Sequence, residues 1–233
     1  FAGAQCAYLM HHRSDELSVW GGYRPRDWPR GLTSISVLPD GSGWAVGAGG
    51  PVVSRQAETW AELDNVPGAP ELGAVLAISG SDVWAGGAPG SVVHYDGRTW
   101  EERPLPTNLR LRDFSALGPD DVWAVASDGD VHGGQGTSQI VHFNGTEWQV
   151  VHMAAGVSLM AIDMIDAADG WVAGTEMLRY DGAAWAAAPL PSQVVPYAIR
   201  DIAFASRESG WAVSKEAVLL YQGGAWRQLE PDG

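Results

Sequence analysis

Cysteine is almost absent from the sequence. The single residue, Cys6, can form no intrachain disulfide and no cysteine-based zinc site. Apolar runs are short as well, and none approaches the roughly 18 residues that a membrane-spanning helix needs. No segment of useful length repeats its apolar residues with the helical period of about 3.6 residues. These absences exclude a disulfide-stapled fold and a transmembrane segment in this chain, and they favour a chain built from strands.

Basic residues are scarce too. The 14 lysines and arginines stand against 28 aspartates and glutamates, which gives a formal net charge of −14 and an isoelectric point near 4.6. A surface with this charge repels polyanions, so neither nucleic acid nor an anionic membrane is an expected partner. With 45% apolar residues among 233, the chain can still bury a sizeable core.

Tryptophan, in contrast, is abundant and regularly spaced. Ten of the twelve tryptophans form five pairs, whose first members recur in steps of 40, 39, 48 and 40 residues. A repeat of about 40 residues indicates an array of one small supersecondary unit. An aromatic residue at the same place in each unit fills the space between neighbouring units, so we predict a structural role for these side chains. The pairs are Trp44 and Trp60, Trp84 and Trp100, Trp123 and Trp148, Trp171 and Trp185, and Trp211 and Trp226.

Each repeat predicts four short strands. An alternating apolar run such as Leu32 to Leu38 comes first, a Trp-Ala-Val-Gly-like strand second and a strand such as Val92 to Tyr95 third. The fourth strand begins at the second tryptophan, after an Asp/Asn-Gly step that predicts a type I′ turn with positive φ at both central residues. Such a sheet cannot bury both faces alone, and packing copies around an axis gives an all-β fold, the β-propeller. A β-solenoid is the competing array, but its repeats are shorter and lack these hairpins.

The N-terminus matches the same template. Phe1 to His12 aligns without a gap to Trp84 to Tyr95, and Trp20 precedes Trp44 by 24 residues, as the later repeats lead us to expect. We therefore predict one propeller domain, residues 1–233, with five complete blades and a sixth that lacks its first strand, as part of a larger protein. Trp20 would be the second tryptophan of the sixth blade. The predicted divisions are 1–30 for the partial blade and linker, and 31–66, 71–104, 109–153, 158–190 and 198–230 for the complete blades.

Two short motifs carry a family resemblance. The Gly-Trp-Ala-Val-Gly strand at residues 43–47 and the Tyr-Asp-Gly-x-x-Trp turn at residues 95–100 resemble the repeats of bacterial propellers with sialidase-type Asp-boxes. Among these, the chain is most similar to photosystem assembly factors of the Ycf48 type and to secreted proteins with the same repeat. The Asp-box has one more residue between its aspartate and its aromatic residue than separates Asp96 from Trp100. The resemblance implies a propeller and, as one function, the handling of a membrane-complex subunit on the lumenal side.

Two features outside the repeat provide candidate contact residues. Trp28 lies in the linker 24–30, and the one large insertion, residues 127–139, contains Asp128, Asp130 and His132. The insertion joins the second and third strands, on the face where propellers usually bind ligands. Asp128 and Asp130 offer hard oxygen ligands to calcium in a glycine-rich loop. No glutamate follows at the bidentate position, so a solvated loop is the favoured interpretation and no metal is expected.

Carboxylates of the first strands are candidate channel residues. Asp113 and Asp201 hold equivalent positions, ten residues before their tryptophans, and Asp163 lies two residues out of that register. Paired carboxylates can hydrolyse glycosides. The equivalent residues of the other blades offer no clear partner acid, so we interpret Asp113 and Asp201 as ligand or partner contacts. Those equivalent residues are Ser34, Ala74 and Ala161.

Sequence motifs for catalysis are missing. The chain has no Ser-His-Asp order, phosphate loop, dinucleotide fingerprint or His-Glu-x-x-His motif, so we predict neither catalytic residues nor a cofactor. His11, His94 and His142 recur at one third-strand position, so we predict that they have a structural role in the repeat.

The function favoured by the sequence is a non-catalytic propeller scaffold that binds a protein partner. We expect an accessory or assembly subunit of a cell-envelope or extracellular complex, exported by a signal outside this chain. The first alternative is a lectin-like propeller that binds glycans. The second is a glycoside-processing enzyme that uses the channel carboxylates.

Overall fold

All regular structure in the described residues is β-strand. The computed structural model describes residues 10–13, 16–19, 31–56, 59–63, 66–67, 71–129, 136–190 and 199–229. The 22 strands in these ranges confirm the predicted all-β class. None of the described residues forms a helix that could span a bilayer.

Five four-stranded antiparallel sheets make up most of the fold, and in each the strands lie side by side in chain order. This arrangement is the predicted β-meander, and we number the sheets blade 1 to blade 5. Blade 1 comprises β3 (Leu32–Val37), β4 (Gly43–Gly47), β5 (Val52–Gln56) and β6 (Thr59–Glu62); blade 2, β7 (Leu72–Ser79), β8 (Asp82–Gly87), β9 (Val92–Tyr95) and β10 (Trp100–Glu102); blade 3, β11 (Arg110–Gly118), β12 (Asp121–Ser127), β13 (Thr137–Phe143) and β14 (Trp148–Ala155); blade 4, β15 (Leu159–Asp166), β16 (Asp169–Gly174), β17 (Met177–Tyr180) and β18 (Trp185–Ala187); blade 5, β19 (Ile199–Ser206), β20 (Ser209–Ser214), β21 (Val218–Gln222) and β22 (Ala225–Leu229).

Aromatic residues join each blade to the next. The rings of Trp171 and Tyr221 lie 5.0 Å apart and those of Trp171 and Trp226 lie 5.7 Å apart, so the first tryptophan of blade 4 packs against two aromatic residues of blade 5. The first tryptophans of blades 1 to 4 are only 1–6% exposed, which confirms their structural role. The same contact joins the earlier blades, as Trp44 with Tyr95 and Trp100, Trp84 with Phe143 and Trp148, and Trp123 with Tyr180 and Trp185. Meander sheets packed in succession in this way form a β-propeller.

The turns between third and fourth strands differ from the type I′ prediction in blades 2 to 4. In blade 2, Tyr95 pairs with Trp100, so the loop has four residues rather than two. The Asp96 carboxylate accepts the N–H groups of Arg98 and Thr99, each at 2.8 Å, while Gly97 takes a φ of 91°. The short acidic side chain therefore stabilises a longer turn. Blade 5 has the two-residue loop, where the φ angles of residues 223 and 224, both glycine, are 63° and 82°.

The N-terminal hairpin consists of β1 (Met10–Arg13) and β2 (Glu16–Val19), paired antiparallel. His12 pairs with Leu17, as Tyr95 pairs with Trp100 in blade 2. With His12 aligned to Tyr95, as in the sequence, the hairpin corresponds to a third and a fourth strand. In that correspondence Leu17 lies opposite His12. The prediction that Trp20 is the second tryptophan of a sixth blade stays a prediction, because Trp20 and the matched segment 1–9 lie outside the described residues.

Candidate binding site in the central channel

The first strands of all five blades line one central cavity of about 620 Å³. Asp113, Asp163 and Asp201 all belong to its wall. The residues equivalent to Asp113 in blades 1, 2 and 4 offer no acid, but Asp163, at a second position, shares the cavity with Asp113 and Asp201. Asp163 is two residues out of their register, and a shift of two residues keeps a side chain on the same side of a strand. The cavity wall is formed by residues 33–36, 73–76, 112–116, 160, 162–164 and 200–203.

Two of these carboxylates connect neighbouring blades. Asp113 of blade 3 accepts the backbone N–H of Ile162 in blade 4 at 2.9 Å, and Asp163 of blade 4 accepts that of Phe204 in blade 5 at 2.6 Å. The innermost strand of a sheet has an edge with unpaired backbone groups, and a side-chain oxygen from the adjacent blade satisfies one of them. The carboxylates thus serve as blade-to-blade acceptors.

Serines perform the same task elsewhere in the channel. At the position of Asp113, Ser34 accepts the N–H of Val75 at 3.2 Å. At the position of Asp163, Ser36 and Ser115 accept the N–H groups of Ala77 and Met164 at 3.0 and 2.9 Å. A neutral hydroxyl therefore fills the structural role as well as a carboxylate does. The two positions are defined by pairing with the second strand: one lies opposite the first tryptophan, the other opposite the residue two places after it.

Burial changes the acidity of the channel carboxylates. It raises the pKa of Asp113 from 3.8 to about 7, against the effect of hydrogen bonds from Ile162 and Phe114, and nearby Asp201 and Asp163 raise the pKa further. Burial and the charge of Asp201 also raise the pKa of Asp163 to about 6. At neutral pH the channel therefore holds protons that exposed carboxylates would have lost.

Asp201 differs from the other two acids. Its carboxylate accepts the N–H of Ile202, the next residue in its own strand, at 2.9 Å. Asp113 makes the same local bond to Phe114 at 2.8 Å in addition to its bond to blade 4. Asp201 lies on blade 5, the last of the five sheets, and its side chain is exposed.

One mouth of the channel carries two arginines that the sequence patterns did not single out. Arg112 and Arg200 directly precede Asp113 and Asp201, and both line the cavity. Arg112 donates from Nε to the carbonyl of Ser127 at 3.2 Å and from a terminal nitrogen to that of Gly129. The sequence signal for Arg112 and Arg200 is that an arginine precedes each of the two aligned aspartates. We call this end of the propeller, where first strands begin and second strands end, the linker face.

The insertion begins and ends at the linker face. Asp128 forms a backbone pair with Thr137, and its carboxylate accepts the N–H of Thr137 at 2.5 Å, which closes the base of the loop. Ser138 donates to the carbonyl of Val157 at 2.7 Å and thereby ties this base to the linker before blade 4. Asp128 thus has a structural partner. Asp130 and His132 lie outside the described residues, as does Trp28.

No metal site is formed by the part of the chain that the structure describes: it holds no group of three or more histidines, cysteines or acids with suitable geometry. The calcium hypothesis for Asp128 and Asp130 stays a prediction, because the second carboxylate lies outside those residues.

The third-strand histidines His94 and His142 have a structural role in their blades. His94 stacks on Trp84, with ring centroids 4.2 Å apart, and its Nε2 lies 2.8 Å from the Asp82 carboxylate. His142 repeats this stack on Trp123, beside Asp121. In blade 4, arginine replaces histidine: Arg179 binds the buried Asp169 through two nitrogens and lies over Trp171. The sequence signal for this stack is the aspartate two residues before the first tryptophan in these three blades.

The acceptor role of Asp163 predicts unequal effects of two substitutions. Asp163→Ala leaves the Phe204 N–H without its acceptor and is expected to lower the free energy of unfolding by about 1–3 kcal/mol. Asp163→Ser should cost much less, because Ser36 and Ser115 act as acceptors at the same position. Urea unfolding at pH 5, below the raised pKa of Asp163, measures the difference without a contribution from charge. Equal losses for the two variants would contradict an acceptor role.

Comparison with known proteins identifies the fold. No protein-family model and no curated protein matches the sequence. A solved structure of Ycf48 bound to a D1 peptide is 16% identical, with a TM-score of 0.62 over 85% of this chain and 66% of that chain. Ycf48 from Cyanidioschyzon merolae is 15% identical, with a TM-score of 0.61 over 89% and 74%. At these identities the likeness shows a shared β-propeller fold.

A third similar structure is an extracellular domain. It is the extracellular domain of a B. thetaiotaomicron protein described as a hybrid two-component system, 11% identical with a TM-score of 0.65. The match covers 100% of this chain and 34% of that one, so the chain spans about a third of this relative's length.

Proposed function

We propose that the chain is a non-catalytic β-propeller that binds a protein partner at its linker face. One observation carries the proposal: Asp113 and Asp163 are engaged in backbone hydrogen bonds between blades, in positions where other blades use serine. The arrangement of these two acids serves the architecture, so it does not by itself point to catalysis. The rigid sheets leave the linkers and the insertion as the variable surface, and loops on a rigid scaffold commonly carry binding functions.

The chemistry of the linker face suits a polypeptide. Arg112 and Arg200 lie beside Asp113 and Asp201 at the channel mouth, so this end of the channel carries basic and acidic side chains. The net charge of −14 favours a partner segment with basic residues. Trp28, Asp128, Asp130 and His132 are proposed contacts at the same face. The Ycf48 structure with a bound D1 peptide offers a precedent for peptide binding by this fold.

We also propose that the protein acts in the cell envelope or outside the cell, as an accessory or assembly subunit. Support comes from the likeness to the extracellular domains of two B. thetaiotaomicron proteins described as hybrid two-component systems. Glycan binding is the less favoured alternative. Among the described tryptophans, Trp211 alone is strongly exposed, and it holds a blade-packing position rather than a loop position.

Photo-crosslinking from defined faces tests the proposal. A photoreactive residue in place of Arg200, on the linker face, should capture one stoichiometric partner from the native source. The matched probe at Glu208, in the exposed turn at the opposite end of β19, should not capture that partner. In a second experiment the photoreactive residue replaces Asp128. Capture from this position should be weaker in the Arg200→Glu variant than in the chain that keeps Arg200. Capture only from position 208, or a strictly monomeric native protein without a partner, would contradict the proposal.

A glycoside-processing enzyme is the second candidate, since the raised pKa values of Asp113 and Asp163 would keep an acid protonated near neutral pH. Hydrolysis of a glycan that survives replacement of Asp113, Asp163 and Asp201 by asparagine would exclude these residues as its catalysts.

A further inference from the structure

Blade 5 exposes a face that every other blade buries. Trp211 is 45% exposed, whereas the four equivalent tryptophans of blades 1 to 4 are 1–6% exposed. Val213 and Val218, which pair with each other across β20 and β21, are exposed as well. In blades 1 to 4 the same face is covered by the following blade. Exposed contiguous apolar surface of this kind marks a surface that binds another element.

Blade 1 exposes the complementary face. Ile35 pairs with Ala45 in the register that pairs Val75 with Ala85, and it is 48% exposed. Its equivalents in blades 2 to 5 are 3–8% exposed, because the preceding blade covers them. Val37, two residues later in the strand, is 56% exposed. These equivalents are Val75, Phe114, Ile162 and Ile202.

The two uncovered faces belong to the first and the last of the five blades. The first strands of both blades line the same central cavity, so all five blades surround one axis. We call the space between blade 5 and blade 1 the gap. One side of the gap presents the surface that normally meets a following blade, and the other presents the surface that normally meets a preceding blade. An element with blade register would satisfy both.

We propose that the hairpin β1–β2 docks in this gap as the outer half of a sixth blade, with Leu17 at the position that faces Trp211. With His12 aligned to Tyr95, the hairpin corresponds to a third and a fourth strand, and its pairs His12–Leu17 and His11–Ser18 correspond to Tyr95–Trp100 and His94–Glu101. It precedes blade 1 in the chain as each blade precedes the next, and consecutive elements are usually neighbours in space. Residues 20–31 link it covalently to blade 1, which gives it a high effective concentration at the gap.

Footprinting of tryptophan side chains in the intact chain tests this assignment. If the hairpin occupies the gap, Trp211 should react as slowly as Trp171 with an indole-modifying reagent read by mass spectrometry. Leu17→Asp, which places a charge at the proposed contact, should raise the rate at Trp211 severalfold and leave Trp171 protected. The matched control is Ser18→Asp, because the equivalent residue in blade 2, Glu101, is already an exposed acid. It should leave both rates unchanged.

Three outcomes would overturn the proposal. Fast modification of Trp211 in the unaltered chain would show an open face. Slow modification that Leu17→Asp does not change would show a different occupant. Protection that disappears on dilution would show a second copy of the chain instead. Leu17→Ala is a milder variant that should raise the Trp211 rate by a smaller factor, which keeps the test decisive if the charged variant fails to fold.

Discussion

Replacing Trp84 by alanine is expected to lower the free energy of unfolding by about 3–5 kcal/mol, the range typical of large-to-small changes at buried aromatic residues. Trp84 is 1% exposed and packs between His94 of its own blade and two aromatic residues of blade 3. The cavity left by the indole would lie between two rigid sheets, which can collapse onto it only in part. Urea unfolding measures the loss.

A substitution at an exposed side chain is the control for the loss of stability in Trp84→Ala. Met153→Ala, at a side chain that is largely exposed in the outer strand β14, should change the free energy of unfolding by no more than about 0.5 kcal/mol. Comparable losses of unfolding free energy at positions 84 and 153 would contradict the role of Trp84 in filling the space between blades 2 and 3.

Phenylalanine substitutions separate packing from hydrogen bonding. Trp84 and Trp123 each stack on a histidine with ring centroids 4.2 Å apart, so their packing is matched. The Nε1 group of Trp84 is buried without a hydrogen-bond partner, whereas that of Trp123 donates to Asp121 at 2.7 Å. Trp123→Phe should therefore cost about 1 kcal/mol more than Trp84→Phe. The reverse order would show that the Trp123–Asp121 bond adds no stability.

The repeat makes strand positions readable from the sequence. Strands β7 and β15 begin at Leu72 and Leu159, where the aligned apolar runs begin, and β9 spans Val92 to Tyr95 as predicted. These features depend on alternation and turn chemistry within a few residues, and five copies reinforce the signal. The burial of Trp84 and its equivalents follows from the same repetition.

Contacts between blades were harder to foresee. The partnership of Asp163 with Phe204 joins strands from two repeats, and its channel position depends on which side of β15 faces the axis. Alignment on the tryptophans placed Asp163 out of register with Asp113, although both face one cavity. Leu17 was not singled out, because the tryptophan spacing pointed to Trp20 and the pairing of Leu17 with His12 is visible only in the backbone. Arg112 and Arg200 precede the aligned aspartates in only two of the five blades, which is a weak signal beside the fivefold repeat of the tryptophans.

Stability is expected to fall as the pH rises from about 4 to 8. Burial raises the pKa of Asp113 to about 7 and that of Asp163 to about 6, from 3.8 for each. Between these values the folded protein binds more protons than the unfolded chain, so the free energy of unfolding decreases as the pH increases. The stabilising contribution is complete below about pH 4 and lost above about pH 7. One pKa unit corresponds to about 1.4 kcal/mol, and with screening by channel water we expect a total loss on the order of 2–4 kcal/mol.

Turn carboxylates limit stability on the acidic side. Hydrogen bonds from neighbouring residues lower the pKa of Asp40, Asp96 and Asp181, and the Arg207 side chain lowers that of Asp166. Their contribution is present above the unfolded pKa and is lost as the pH falls through the lowered values. The two groups of carboxylates act in opposite directions, so maximum stability is expected between about pH 4 and 5, where channel acids are protonated and turn acids are ionised.

Substitutions in the channel should remove the alkaline slope selectively. The double variant Asp113→Asn and Asp163→Ser has no channel carboxylate with a raised pKa, so its free energy of unfolding should be nearly constant from pH 5 to 8, even if the weaker acceptors lower its absolute value. Asp181→Asn, in an exposed turn, should keep the wild-type slope in that range and change the profile only at lower pH. Urea unfolding of the three proteins at intervals of half a pH unit gives the slopes. An unchanged slope in the double variant would place the titrating groups outside the channel, whereas a flat wild-type profile would mean that water solvates both carboxylates as well in the folded protein as in the unfolded chain.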